Sequence, residues 1–324
     1  MAMKLTCLAA IDLKRTEVVG VSWVRRFMGF DLPAIPQGLT WLSLNATGFI
    51  VGGYLSLGSR MIKYLNNITK NQDTTHEYAL PQTFLVIHEG SWSTIPVLNF
   101  SILDKALDKG EFWSSTIYLL VIGQIRLEQG RFEDSEIMAD KLQEIGENYG
   151  YVRSRFLGKY LKAAIFIKTL SLRQALSEAE KGVVLSEQTG EKNTTIALLG
   201  HKAIAETLVG QIDIAQASLR AGELVISELR KIQAFYFTPF LLGQFITHLH
   251  LLKDAIGRDH HSQIQQQRKT IHRIATQVLE VSKKIALYRT WIFRLIGEYY
   301  WLIGKQKKAI KWWDKSIQQG ERLG

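Results

Sequence analysis

Glu128-Gln129-Gly130-Arg131-Phe132-Glu133-Asp134-Ser135 is the stretch that decides the fold. An apolar-periodic segment runs into it and another runs out. Gly130 can take the left-handed conformation that closes a helix at little cost. Phe132 stands where a large residue would plug the corner between two antiparallel helices. Glu133 and Asp134 fall in the first turn of the next helix, where acidic groups favour the positive end of its dipole. The corner therefore predicts a helix, a tight turn and a second helix.

The same corner recurs along the chain. Gly90 and Gly130 are separated by one period and Gly130 and Gly210 by two, with Leu170 at the missing position. Two residues on come Trp92, Phe132, Leu172, Ile212 and Leu252, all large and apolar. Seven before the glycine column come Thr83, Gly123, Ala163, Ala203 and Gly243, all small. Five after it come Ile95, Ser135, Ala175, Ala215 and Ala255, four of them small. Small residues in mid-helix let a neighbouring helix come close. A fixed period of about 40 residues marks a stacked repeat array.

Amphipathic periodicity between the corners predicts paired helices. They are 39–56 with 59–69, 77–89 with 92–108, 112–129 with 132–148, 152–169 with 172–188, 194–209 with 212–230, 234–257 with 263–285, and 289–303 with 306–319. Residues 1–28 are expected to be helical but out of step. The expected division is 1–70, N-terminal helices forming a degenerate repeat or cap, and 71–324, a helical-repeat array with a basic end at 231–324. The fold class is all-α, a right-handed α-solenoid of helix pairs.

Composition agrees with this reading. Hydrophobic residues make up 46% of the 324 positions and charged residues 22%, which excludes a disordered chain. Five prolines favour long unbroken helices. The lone Cys7 excludes a disulfide framework and a cysteine-based zinc site, and reads as a small core residue. The net charge of +10 lies wholly in residues 231–324, which hold 16 basic and 6 acidic groups. Such a pole attracts acidic partners. Two segments, 32–59 and 232–252, carry no charge and are long enough to span a bilayer. Their Ser, Thr, Asn, Gln, His and Gly content fits buried solenoid helices better. With no clean signal peptide, a cytoplasmic location is the default.

The last pair carries a family resemblance. Phe293, Ile296-Gly297, Tyr300, Gly304, Ala309 and Trp313 stand at the spacings of a tetratricopeptide (TPR) repeat. The closing proline of that pattern is absent, and Ser316 replaces an alanine. The repeat at 116–148 matches through Gly123, Gly130 and Phe132. Upstream repeats are longer than the tetratricopeptide unit and share their length with HEAT-like arrays, which are the alternative fold. The segment from Tyr299 to Gly324 also resembles the long TPR-like C-terminal arms of large bacterial signalling proteins that couple a STAND-type ATPase to a cyclase, kinase or transcriptional output. The resemblance implies a non-catalytic interaction scaffold, the sensor or regulatory arm of such a system. No phosphate-binding loop is present. Gly297 to Gly304-Lys305 has the wrong spacing, and Gln306 stands where Ser or Thr is needed. No cyclase or kinase signature occurs.

The resemblance also implies a concave groove lined by the first helices of the pairs. Carried over position by position, its lining is Gln124, Tyr160, Lys168, Gln244, His248, Arg294, Glu298 and Trp301. This set suits an extended peptide or a small ligand. Lys307, Lys308, Lys311 and Lys315 follow helical spacing and form one basic face, the alternative site for nucleic acid or an anionic surface. His248, His250, His260, His261 and His272 lack the spacing of a metal motif, and the carboxylates Glu133, Asp134, Glu136 and Asp140 lack a nearby nucleophile. No catalytic residue, metal or cofactor is expected. The expected partner is a protein or peptide, including other domains of a larger signalling protein. Nucleic acid and membrane are disfavoured. The chain stops at Gly324 directly after a second helix, so the expectation is that more protein or another chain covers that end, and self-association is open there.

Overall fold

The computed structural model of the chain describes residues 38–69, 76–95 and 100–324, with a few isolated positions before residue 38. The helix expected over 1–28, and Cys7 with it, lie outside the described residues. Among the described residues the structure is helical throughout. They group into two compact units, divided between Ile122 and Gly123.

In the first unit, α1 (Gly38–Val51), α2 (Leu55–Thr69) and α3 (His76–Glu89) pack pairwise against one another. Helix α1 has no charge and is buried on almost every side, through Leu39, Trp41, Leu42, Ala46, Phe49 and Ile50. Its buried polar groups bond back along the helix. Asn45 Nδ2 donates to the Trp41 carbonyl at 2.8 Å and Thr47 Oγ1 to the Ser43 carbonyl at 3.0 Å. Gly53, at φ 94°, ends α1 after 14 residues, well short of the roughly 20 a membrane span needs. No described helix is long and apolar enough to cross a membrane. The helix expected over 92–108 is instead a 3₁₀ turn at Trp92–Thr94 followed by α4 (Phe100–Asp108). Ile95, which precedes a proline in the sequence, is extended at φ −64° and ψ 129° and ends the turn.

From residue 112 the march is regular. Helices α5 (Phe112–Glu128), α6 (Phe132–Asn148), α7 (Val152–Lys168), α8 (Leu172–Gln188), α9 (Lys192–Leu208) and α10 (Ile212–Ser227) start at even intervals of half a period. The repeat is thus two equal halves. Gly110, Gly130, Gly150, Gly190 and Gly210 all take positive φ in the turns. Leu170 occupies the remaining turn at φ 58°, left-handed despite its side chain and 72% exposed. The turns close alike. Arg131 N bonds to the Arg126 carbonyl at 2.9 Å and Ser171 N to the Phe166 carbonyl at 2.8 Å.

The small columns lie in the core of the second unit. Ala163, Ala203, Ser135, Ala175 and Ala215 are fully buried. A Cβ on Gly123 would stand 2.4 Å from Leu161 Cδ2, so only glycine admits that neighbour. Ser135 Oγ donates to the Gly123 carbonyl at 2.9 Å, joining the two columns directly. The corner residues behave less uniformly. Trp92 and Leu252 are buried, whereas Phe132 is 38% exposed. It occupies the first position of α6.

Helices α11 (Ala234–Gly257) and α12 (His261–Lys284) are longer, at 24 residues each. Then come α13 (Arg289–Leu302) and α14 (Gln306–Leu323). The first helices α7, α9, α11 and α13 pack side by side in that order, each against its own second helix. In the last pair Trp313 covers Gly297, where a Cβ would meet its ring at 2.4 Å, and donates its indole N–H to the Arg294 carbonyl at 3.2 Å. Ser316 Oγ donates to the Thr290 carbonyl at 2.7 Å, and Ala309 is buried. Of the positions that carry the tetratricopeptide spacing, Ile296, Gly297 and Ala309 are buried in the helix pair and Gly304 closes its turn at φ 74°.

Candidate functional site

Equivalent positions of successive repeats face one another across the first helices. Lys168 Nζ stands 3.0 Å from Glu128 Oε2, one full period away. Thr207 and Thr247, likewise one period apart, share a hydrogen bond of 2.8 Å. The Glu128 side chain is only 6% exposed, so its charge needs that lysine. Lys168 Nζ also lies 4.4 Å from the centroid of the Trp291 ring, a cation–π contact from α13.

Behind this pair sits an aromatic cluster centred on Tyr160, which is fully buried. His201 stacks on it with ring centroids 4.8 Å apart. Phe235 and Tyr236 lie on further sides, each at 6.3 Å. The connector between α12 and α13 closes the cluster. Its Ile285, Ala286 and Leu287 are fully buried and Tyr288 nearly so. The Tyr288 hydroxyl lies 3.2 Å from that of Tyr160 and donates to the Phe235 carbonyl at 3.4 Å. Tyr288 has one proton, so Tyr160 is the donor in their shared bond. That carbonyl is free because Pro239, four residues on, has no amide to offer it.

Close packing of α9 and α11 sits beside the cluster. A Cβ on Gly200 would lie 2.5 Å from backbone atoms of Phe240, and one on Gly243 would lie 2.8 Å from the Gly200 carbonyl. The two helices meet backbone to backbone there. Burial sets the protonation states. It pushes the phenols of Tyr160 and Tyr288 well above their ordinary range. Burial, aided by the Lys168 charge, lowers the His201 imidazole to about 3, so it is neutral at pH 7.

On the open side of the cluster lies a small hollow lined by Gln124, Glu128, Lys168, His201, Tyr288 and Trp291, with apolar flanks from Leu127, Ala164 and Ile167. Its free space is about 10 Å³, the room one water-sized group needs. Gln124 and His201 are 1% and 4% exposed, and Gln124 Nε2 and His201 Nδ1 have no hydrogen-bond partner. Native structures rarely leave such atoms unpaired.

Of the residues expected in the groove, Gln124 and Lys168 line this hollow and Tyr160 supports it from behind. Gln244 and His248 do not join them. Each finds its partner on a second helix: Gln244 Nε2 donates to Glu223 of α10 at 2.9 Å, and His248 Nδ1 lies 2.7 Å from Gln267 of α12. A buried amide takes the nearest acceptor, here Glu223. Arg294, Glu298 and Trp301 form a separate exposed stripe along α13, with the Trp301 ring 5.5 Å from Trp313. Lys307, Lys308, Lys311 and Lys315 are exposed on α14 and pair with no described carboxylate. Lys308 lies over Tyr300 at 5.6 Å and Lys315 over Trp312 at 4.3 Å. Among the described residues no three His, Cys, Asp or Glu side chains gather where a metal ion could be held.

Sequence reasoning missed Glu128, His201, Tyr288 and Trp291. Glu128 was within reach, because adding one period to it gives Lys168. Tyr288 stands in a connector outside the period, and no spacing points to it.

No family model and no curated protein sequence matches the chain. Among solved structures it is similar to a Rap protein crystallised in complex with competence and sporulation factor, at a TM-score of 0.61 and 10% sequence identity, over 99% of this chain and 97% of that one. At that identity the likeness concerns the fold: the chain is an α-solenoid of TPR-like helical repeats.

Proposed function

We propose that the chain is a non-catalytic scaffold that binds an extended peptide or a segment of a partner protein on its first-helix face. It would serve as a sensor or regulatory arm in a bacterial signalling system, at home in the cytoplasm. One observation carries this reading: Gln124 and His201, almost fully buried and each with an unpartnered polar atom, both line one hollow built from first helices. A partner segment laid across those helices would complete them. The neighbour of the same fold was solved with a bound factor, which supports the reading. Binding would regulate only if the ligand favours one state of the arm over another.

The test is calorimetry of the full chain against pools of synthetic dodecapeptides. Saturable binding by at least one pool is expected. Uniform absence of binding would overturn the reading.

A second reading rests on a different observation. Lys307, Lys308, Lys311 and Lys315 are exposed and ion-paired with no described carboxylate, at the end that holds the whole net charge. This face would bind nucleic acid or an anionic surface. Affinity for a short single-stranded oligonucleotide should then fall steeply with salt and vanish when Lys307, Lys308 and Lys311 are changed to Glu. Weak retention independent of salt would eliminate it.

A further inference from the structure

We infer that the hollow between Gln124, Lys168 and His201 is a specificity pocket for one hydroxyl, that of a serine or threonine side chain on the bound peptide. The inference rests on the peptide-binding reading and names the chemistry that would be selected.

Charge comes first. Lys168 is already held by Glu128 at 3.0 Å, and His201 is neutral, so the hollow carries no net charge. A carboxylate entering it would meet Glu128. An ammonium would meet Lys168, whose place over Trp291 is already the cation–π position. The ligand group is therefore neutral.

Hydrogen bonding comes second. Gln124 Nε2 is a donor, and neutral His201 accepts at Nδ1 when its proton is on Nε2. A hydroxyl can accept from the first and donate to the second through a single oxygen. If the imidazole proton is on Nδ1 instead, the hydroxyl oxygen accepts from both.

Size decides among neutral groups. About 10 Å³ suits a single oxygen, and a hydroxyl offers donor and acceptor through that one atom. Leu127, Ala164 and Ile167 flank the hollow and suit the methylene or methyl beside a side-chain hydroxyl. Phosphorylation of that hydroxyl would add a dianion too large for the hollow and repelled by Glu128, so it would abolish binding.

The experiment uses the full chain and five dodecapeptide pools, degenerate except for one central residue fixed as Ser, Ala, Asn, Asp or phosphoserine. The Ser pool should bind roughly ten- to a hundredfold more tightly than the Ala pool, as expected for a site whose buried groups are otherwise unpaired. The Asn, Asp and phosphoserine pools should bind no better than Ala. Equal binding of Ser and Ala pools overturns the inference and leaves the peptide-binding reading intact. It would mean that the hollow holds only water. Preference for Asn or Asp overturns it too. If no pool binds, the broader reading fails. In Gln124→Met and in His201→Phe, each checked for its helical signal, the Ser-to-Ala ratio should collapse towards one. A ratio kept in both would show that the preference arises elsewhere. The comparison of pools on the unaltered chain stands even if a variant does not fold.

Discussion

The stack from α5 to α10 and the region from α11 to α13 are built from the same helix pairs, yet they differ in kind. In the stack every helix begins half a period after the last, and glycine closes every turn except at Leu170. Helices α11 and α12 lengthen to 24 residues each, α13 shrinks to 14, and Asp259 takes the left-handed turn. Pro239 sits inside a helix, and a connector is buried to its last residue. Regularity builds a wall whose equivalent positions pair, as Glu128 and Lys168 do. Departure from regularity puts Tyr288 and Trp291 onto that wall and turns part of it into a pocket.

The largest effect is expected where the two regions touch most tightly. Gly200→Ala should lower stability by about 3 kcal/mol or more, because its Cβ would meet backbone of Phe240 at 2.5 Å, which cannot swing aside. Gly130→Ala has nothing within 4 Å of its added methyl and should cost about 1 kcal/mol, from its positive φ alone. Urea denaturation separates them. Equal costs would mean that the helix contact is not what sets the second region apart.

Next comes acid. Between the ordinary imidazole value of 6.5 and the folded value of about 3, the unfolded chain takes a proton on His201 that the folded chain refuses. Stability therefore falls as pH drops through that window, by about 2–3 kcal/mol at pH 4.5 from this group. His248, also lowered by burial, adds in the same direction. Glu206, raised by burial, works oppositely: its folded state holds the proton longer, so its contribution is lost as pH rises. His201→Phe keeps the stacked ring and should flatten the profile relative to wild type. An unchanged slope would place His201 in contact with water.

Smaller still is the link between Pro239 and Tyr288. Tyr288→Phe should cost about 1 kcal/mol, since it strands the Tyr160 proton and the Phe235 carbonyl. In a Pro239→Ala background the helix can satisfy that carbonyl, so the same change should cost less. A double-mutant cycle with no coupling would break the connection. The smallest effect has the opposite sign. Leu170→Gly should stabilise by up to about 1 kcal/mol, because Leu170 is left-handed and exposed. No gain would mean that its side chain packs in a way its 72% exposure does not reveal.

How much of this was legible in the sequence follows from the same contrast. Helix ends in the stack lie within three positions of those the sequence predicts, because turn glycines and small columns mark them. The half-period is not legible in the same way. Two residues after Gly110 and Gly150 come Phe112 and Val152, as Phe132 and Ile212 follow Gly130 and Gly210, but Lys192 follows Gly190, so the alternate column is less uniform. Gln124 and Lys168 were found because repeat position predicts which face a residue occupies. Gln244 shares the position of Gln124 but is taken up by Glu223, which periodicity cannot foresee. Tyr288 depends on how a non-repeating connector folds back, and His201 on its stacking against Tyr160. That is tertiary information.

The central claim is that the ligand site lies at the Gln124 hollow rather than on the exposed stripe of α13. The direct measurement is calorimetric affinity of the tightest-binding peptide for wild type, Gln124→Met and Trp301→Ala. The account predicts a loss of about tenfold or more in Gln124→Met and about threefold or less in Trp301→Ala, since the Trp301 ring leans on Trp313 outside the hollow. A large loss in Trp301→Ala with Gln124→Met unchanged would contradict it and move the site to α13.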